Sequence, residues 1–106
     1  MSLAADPKRL WEESFDEQIA RQAYNTAPVE ALVRNISYYL RDRGAREPVE
    51  GLHFLEMGCG AGPNLVWLAE KGMQVSGVDI ARNALELARA SLTRGGHAAR
   101  IGSLVE

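Results

Sequence analysis

The first half of the chain repeats apolar positions at the spacing of amphipathic helices. Over 7–24 an apolar residue recurs at every fourth position, at Trp11, Phe15, Ile19 and Ala23. This spacing predicts a helix with one buried face. A second helical repeat runs from about Pro28 to Arg43, and Gly44 is a natural stop for it.

From residue 52 the pattern changes to short apolar runs that alternate with helical stretches. We expect strands at 52–57, 73–79 and about 98–104, with helices at 63–71 and 81–94 between them. Strands that alternate with helices are typical of a parallel α/β sheet with right-handed crossovers. The chain has room for only one of the two halves of a doubly wound sheet.

Composition narrows the function classes. The chain has 106 residues and a net charge of −2, with 12 Lys and Arg against 14 Asp and Glu. This balance gives no basic footprint, so we expect no nucleic-acid partner. No apolar run is long enough for a bilayer, so we expect no membrane partner. The single cysteine, Cys59, suits a reducing cytoplasm, and His53 and His97 lack partners at metal spacing, so we expect no metal site.

The candidate chemistry lies at a glycine turn after the first strand. Gly58, Gly60 and Gly62 alternate there, and Asp79 closes the second apolar run. The turn has three interpretations: a purely structural bend, a dinucleotide site for NAD or FAD, or a site for S-adenosylmethionine. The third glycine comes one residue earlier than in the dinucleotide fingerprint, and Pro63 removes an N–H that would face a pyrophosphate. Both departures count against a dinucleotide.

S-adenosylmethionine carries adenosine without phosphate, together with a carboxylate, an ammonium and a sulfonium. An acid just before the turn attracts the cationic end of such a ligand, and Glu56 stands two residues ahead of Gly58. The alternative for Glu56 is a buried acid satisfied by neighbouring backbone N–H groups. Asp79, at the tip of the neighbouring strand, is placed to hold ribose hydroxyls. It could also cap the following helix, and the two roles need not exclude each other.

Three segments together resemble the opening of a class I S-adenosylmethionine-dependent methyltransferase, over about 52–104. They are Leu55-Glu-Met-Gly-Cys-Gly-Ala-Gly62, Val75-Ser-Gly-Val-Asp-Ile80 and Ala84-Leu-Glu-Leu-Ala-Arg89. The resemblance implies S-adenosylmethionine as cofactor. It implies that the methionine end is lined by Glu56 and by the backbone of Gly58, Cys59, Gly60 and Gly62. It also implies that Asp79 takes the ribose and that Ile80 packs on the adenine.

The resemblance has two departures. The third strand of the family commonly ends in Gly-Asp, whose aspartate contacts the adenine amino group, and Gly102-Ser103 stands at that place. Ser103 is therefore our candidate there, although a hydroxyl brings no charge. In the family the fourth strand and the loop after it usually bring the acceptor-binding and catalytic residues, so no catalytic residue can be named.

Two further residues have a structural and a functional interpretation. Cys59 has no His or acid in sequence to activate it, which favours a small turn residue over a nucleophile. Aromatic residues of the N-terminal helices are interpreted as core. Among them Tyr24 is our best candidate for a residue near the ligand.

The sequence therefore predicts an α/β fold with two parts: a helical segment over 1–50 and a partial Rossmann-like parallel sheet over 51–106, with strand order 3-2-1. The favoured function is methyl transfer to a small-molecule acceptor. The alternatives are a non-catalytic S-adenosylmethionine-binding module and, less favoured, an NAD-type domain. The first strand would leave an apolar sheet edge uncovered, which predicts a homodimer or a partner strand.

Overall fold

The computed structural model describes residues 6–43 and 48–106. It has four α-helices and three strands within these ranges: α1 (Pro7–Ala20), α2 (Glu30–Arg43), β1 (His53–Met57), α3 (Pro63–Glu70), β2 (Gln74–Val78), α4 (Arg82–Arg94) and β3 (Ile101–Val105). Short 3-10 turns at Val49–Gly51 and Ala98–Arg100 precede β1 and β3. The helix stop predicted at Gly44 lies outside the described residues.

The three strands form a parallel sheet in which β2 lies between β1 and β3. The α/β class and the predicted strand order are therefore confirmed. β1 and β2 pair in regular register from His53 opposite Gln74 to Met57 opposite Val78. Within the described residues no strand pairs with the other edge of β1. The predicted dimer through that edge stays a prediction.

The core lies between the sheet and helices α3 and α4. Its largest fully buried side chains are Leu65, Leu68, Val75 and Leu92. Helix α2 packs its apolar stripe against this same core. The opposite face of β1 carries Leu55 and Met57, which are 58% and 71% exposed. The carboxyl ends of the strands lead into the glycine turn and Asp79, so the fold gathers the candidate residues at one end of the sheet.

Two boundaries differ from the sequence prediction. Helix α1 ends at Ala20 because Gln22 adopts a left-handed φ of 54°. That conformation turns the N–H of Ala23 back to the carbonyl of Gln18, at 2.8 Å. Strand β3 begins at Ile101, three residues later than expected, because residues 98–100 form a 3-10 turn.

Helix α1 is held against α4 by polar contacts. The side-chain amide of Asn83 donates to the Glu12 carbonyl at 2.7 Å and to the Asp16 carboxylate at 2.8 Å. The Lys8 ammonium donates to the carboxylate of Glu106 at 2.7 Å. These contacts join the N-terminal helix to residues that follow β2 and β3, so α1 lies beside the carboxyl end of the sheet.

Candidate binding site at the glycine turn

The turn between β1 and α3 uses left-handed glycine conformations. Gly58, Gly60 and Gly62 have φ values of 72°, 56° and 82°. Gly62 also lies against α4, since a Cβ built on it would stand 2.8 Å from the Cβ of Ala88. Any side chain at Gly62 would thus be strained by its backbone and would clash with its neighbour.

The backbone N–H groups of the turn are largely consumed inside the protein. The N–H groups of Gly58 and Cys59 donate to the carbonyl oxygen of Val78 at 2.7 and 3.1 Å. The N–H of Gly60 donates to Asp79 Oδ2 at 2.8 Å, and the N–H of Gly62 donates to the carbonyl oxygen of Cys59 at 3.0 Å. Pro63, at the next position, has no N–H. A phosphate site needs several free N–H groups that point at the anion. These hydrogen bonds therefore disfavour a pyrophosphate at the turn.

Asp79 ties the end of β2 to the turn. Its Oδ2 accepts from Gly60, and its Oδ1 accepts from the N–H of Ala81 at 2.9 Å. Helix α4 begins at Arg82, so this second bond supports the approach to the helix. Asp79 is half-buried, and each carboxylate oxygen has a further lone pair. Ala81 is the N-cap of α4 and no side chain caps that helix, so the capping interpretation of Asp79 is wrong and its bond to Ala81 is a local turn contact. The carboxylate keeps the capacity to accept from ligand hydroxyls.

A cavity of about 390 Å³ adjoins Asp79 and the turn. Its lining consists of Trp11, Phe15, Gly58, Gly60, Val78, Asp79 and Ile80. The first two come from α1. Phe15 is buried, whereas Trp11 is 54% exposed. The interpretation of Trp11 as a core residue is therefore wrong. The missing information was the packing of α1 across the turn.

Glu56 has one engaged and one unpartnered carboxylate oxygen. Its Oε2 accepts from the side-chain amide of Asn64 at 2.6 Å. Its Oε1 is buried and has no hydrogen-bond partner among the described residues. The pKa of Glu56 is raised above its usual value, mainly because the carboxyl is buried. The hydrogen bond from Asn64 opposes this rise, and the nearby Asp79 charge adds to it. A buried oxygen without a partner costs free energy, so a donor that reached Oε1 would remove that cost.

Asn64 is a site residue that sequence analysis missed. It lies on α3, is 9% exposed, and its Oδ1 also accepts from the N–H of Val29 at 2.8 Å. The available signal was a polar residue next to the inward-facing Leu65 on a short apolar helix. That signal does not reveal the partner of the amide.

Cys59 is buried and packs against β2. A Cβ built on Gly77 would lie 2.6 Å from the Cys59 sulfur. Burial, with the charges of Asp79 and Glu56, raises the pKa of the Cys59 thiol to about 11. The thiol is therefore protonated at neutral pH, which agrees with a packing residue and not with a nucleophile.

Of three further predicted cofactor residues, one lines this cavity and two do not. Ile80 lines it and is 44% exposed. Tyr24 instead lines a separate cavity of about 380 Å³ together with Thr26 and Pro63. Ser103 lies within β3 and not at its carboxyl end, and its N–H donates to the hydroxyl of Ser76 at 2.9 Å. The cofactor roles of all three stay predictions.

Within residues 6–43 and 48–106, no cluster of three or more His, Cys, Asp or Glu residues is arranged to hold a metal ion. None of the helices in the same ranges combines the length and the apolar composition needed to cross a bilayer.

Comparison with known proteins agrees with the geometry. Residues 54–103 match the family model described as a methyltransferase domain. The chain is 49% identical over 47 residues to the ribosomal RNA small subunit methyltransferase C of Alcanivorax borkumensis. This match covers 44% of this chain and 14% of that protein. It is 43% identical over 56 residues to the ubiquinone biosynthesis O-methyltransferase of Methylocella silvestris, with 53% of this chain and 22% of that protein covered.

The fold is shared with solved methyltransferases. A S-adenosylmethionine-dependent methyltransferase from Geobacter sulfurreducens, solved with S-adenosyl-L-homocysteine, superimposes with a TM-score of 0.60 at 18% identity. The superposition covers 99% of this chain and 38% of that one. The fold, the turn and the family match define a Rossmann-like methyltransferase domain. The family match over 54–103 and the shared fold support a fragment of a class I S-adenosylmethionine-dependent methyltransferase, and the chain spans less than a quarter of each curated relative that it matches.

Proposed function

We propose that this chain binds S-adenosylmethionine at the glycine turn and that the whole protein uses it for methyl transfer. The observation that carries the proposal is the buried Glu56 Oε1, which has no partner among the described residues. An ammonium group would satisfy that oxygen. The consumed N–H groups of the turn and the two carboxylates near it disfavour a pyrophosphate, which supports S-adenosylmethionine over NAD.

The residues present fit the parts of this cofactor. Glu56 would accept from the ammonium, and Asp79 would accept from the ribose hydroxyls. Trp11 and Ile80, which line the cavity, would give apolar contact to the adenine and exclude water. When bound, the cofactor supplies a methyl group on a sulfonium cation. Holding that group in line with an acceptor is the main contribution such a site makes to the rate.

Calorimetric titration of the chain tests the cofactor assignment. We expect S-adenosylhomocysteine to bind and NAD to give no measurable heat. Comparable affinity for NAD would support the dinucleotide interpretation and overturn ours. If neither ligand binds, the interpretation of the glycines as a purely structural turn is the correct one.

The acceptor is proposed to be a small molecule. The balance of 12 basic against 14 acidic residues supports this choice, because a nucleic-acid surface requires an excess of Lys and Arg. The relatives include proteins named for ribosomal RNA and for ubiquinone biosynthesis, so both acceptor classes belong in the test. The whole protein should methylate members of a small-molecule panel and not ribosomal RNA. Cofactor binding without any transfer would favour a non-catalytic binding module.

We also propose that the protein works in the cytoplasm. The support is the single cysteine, Cys59, which is buried as a free thiol. A protein without a disulfide framework suits a reducing compartment.

Trp11 should report cofactor binding. The chain has two tryptophans, so Trp67→Phe leaves Trp11 as the only one. We expect S-adenosylhomocysteine to change the fluorescence of this variant with the affinity of the parent. Trp11→Ala should weaken binding roughly 5- to 100-fold, as loss of an aromatic partner for a base does. Unchanged fluorescence and affinity would remove α1 from the site.

A further inference from the structure

Asn64 connects two elements that the sequence places far apart. Its side chain donates to Glu56 Oε2 at 2.6 Å and accepts from the Val29 N–H at 2.8 Å. Val29 directly precedes α2, and Glu56 lies on β1. With 9% exposure, the amide has both its carbonyl and its NH₂ group committed to protein partners.

The orientation of the Glu56 carboxylate depends on this contact. With Oε2 held by the amide, Oε1 is the oxygen left without a partner in the described residues. A neutral donor is suited to this task, because it fixes a carboxylate without cancelling its charge. A cationic partner in the same place would compete with an incoming ammonium.

We propose that Asn64 is a positioning residue that holds Glu56 so that Oε1 has no protein partner and can pair with the ammonium of the cofactor, and that it links this carboxylate to the start of α2. The inference rests on the proposed function. Asn64 itself touches no part of the cofactor in this proposal, so its effect must pass through Glu56.

Two ligands separate this role from a general loss of structure. S-adenosylhomocysteine carries the amino-acid end that Glu56 would bind, whereas 5′-methylthioadenosine carries the same adenosine and thioether without it. Asn64→Leu removes both hydrogen bonds at similar volume. We expect this variant to bind S-adenosylhomocysteine about tenfold more weakly, as for loss of support to a charged hydrogen bond. Its affinity for 5′-methylthioadenosine should remain that of the parent.

A double-mutant cycle with Glu56→Gln tests whether Asn64 acts through Glu56. In the Glu56→Gln background, Asn64→Leu should produce little further loss of S-adenosylhomocysteine affinity. If the two losses add fully, Asn64 does not work through the carboxylate and the proposal fails. The proposal also fails if Asn64→Leu weakens both ligands equally or weakens neither.

The pH dependence of affinity gives an independent measurement. The ammonium requires ionised Glu56, so affinity for S-adenosylhomocysteine should fall as the pH is lowered through the pKa of Glu56. The Asn64 hydrogen bond lowers that pKa. Its removal should therefore move the fall in affinity to higher pH, and an unmoved profile would contradict the proposal. Should Asn64→Leu not fold, Asn64→Ser also removes the amide donor and should move the profile in the same direction.

The outcomes distinguish this proposal from the assignment of the cofactor. If the parent binds neither S-adenosylhomocysteine nor 5′-methylthioadenosine, the proposed function fails and the role of Asn64 fails with it. If the parent binds both and the Asn64 variants behave as the parent, the cofactor assignment stands and the positioning role is wrong.

Discussion

Asp79→Ala is expected to lower the affinity for S-adenosylhomocysteine about 10- to 100-fold, the usual effect of losing hydrogen bonds to a charged acceptor. The substitution removes the acceptor proposed for the ribose hydroxyls. It also removes the acceptor of the Gly60 N–H at 2.8 Å and of the Ala81 N–H at 2.9 Å. Calorimetric titration of parent and variant measures the change.

The structural contribution of Asp79 can be separated from its role toward the ligand. Asp79→Asn keeps one carbonyl acceptor and should give an intermediate affinity. Glu86→Gln is the matched control, because it removes an exposed carboxylate from α4 and should bind as the parent does. Circular dichroism would show whether each variant keeps the fold. Parental affinity in a folded Asp79→Ala variant would remove this residue from the site.

Gly62→Ala is expected to lower the free energy of unfolding by about 2–4 kcal/mol, the sum of a left-handed backbone penalty and an overpacking cost. The φ of Gly62 is 82°, and the added Cβ would stand 2.8 Å from the Cβ of Ala88 and 3.3 Å from its Cα. Neither contact involves a flexible side chain, so backbone of the turn or of α4 must move. Urea unfolding of parent and variant measures the difference.

Two further variants divide this loss into its causes. Gly58→Ala shares the left-handed conformation, with φ of 72°, but its Cβ would meet nothing within 4 Å. It should cost about 1–2 kcal/mol from the backbone alone. Ala88→Gly in the Gly62→Ala background removes the 2.8 Å contact with the Ala88 Cβ and leaves the 3.3 Å contact with its Cα. It should recover part of the loss, offset by roughly 1 kcal/mol for glycine in a helix. Equal effects at Gly58 and Gly62 would show that packing against Ala88 is unimportant.

The sequence was sufficient for the order of elements because each has a local signal. The alternation of strands and helices from residue 52, the glycine spacing and the acid at Asp79 are readable within a few neighbouring residues. The family match over 54–103 and the parallel order of the three strands agree with that interpretation. The boundaries were less certain, since the end of α1 depends on the left-handed turn at Gln22, which no pattern of hydrophobic positions signals.

The contacts that shape the site required the tertiary structure, because their partners lie far apart in the chain. The side chain of Asn64 accepts from the N–H of Val29, 35 residues away in the chain. Asn83 donates to the carbonyl of Glu12 in α1, which is 71 residues away. Periodicity shows that a face is buried but not what it is buried against, so Trp11 and Asn64 had no visible role. The sequence by itself determined the turn and its two acids. Only the tertiary structure decided the rest: pairing with the end of β2 consumes the N–H groups of the turn, Asn64 of α3 leaves one oxygen of Glu56 unpartnered, and the packing of α1 places Trp11 at the cavity.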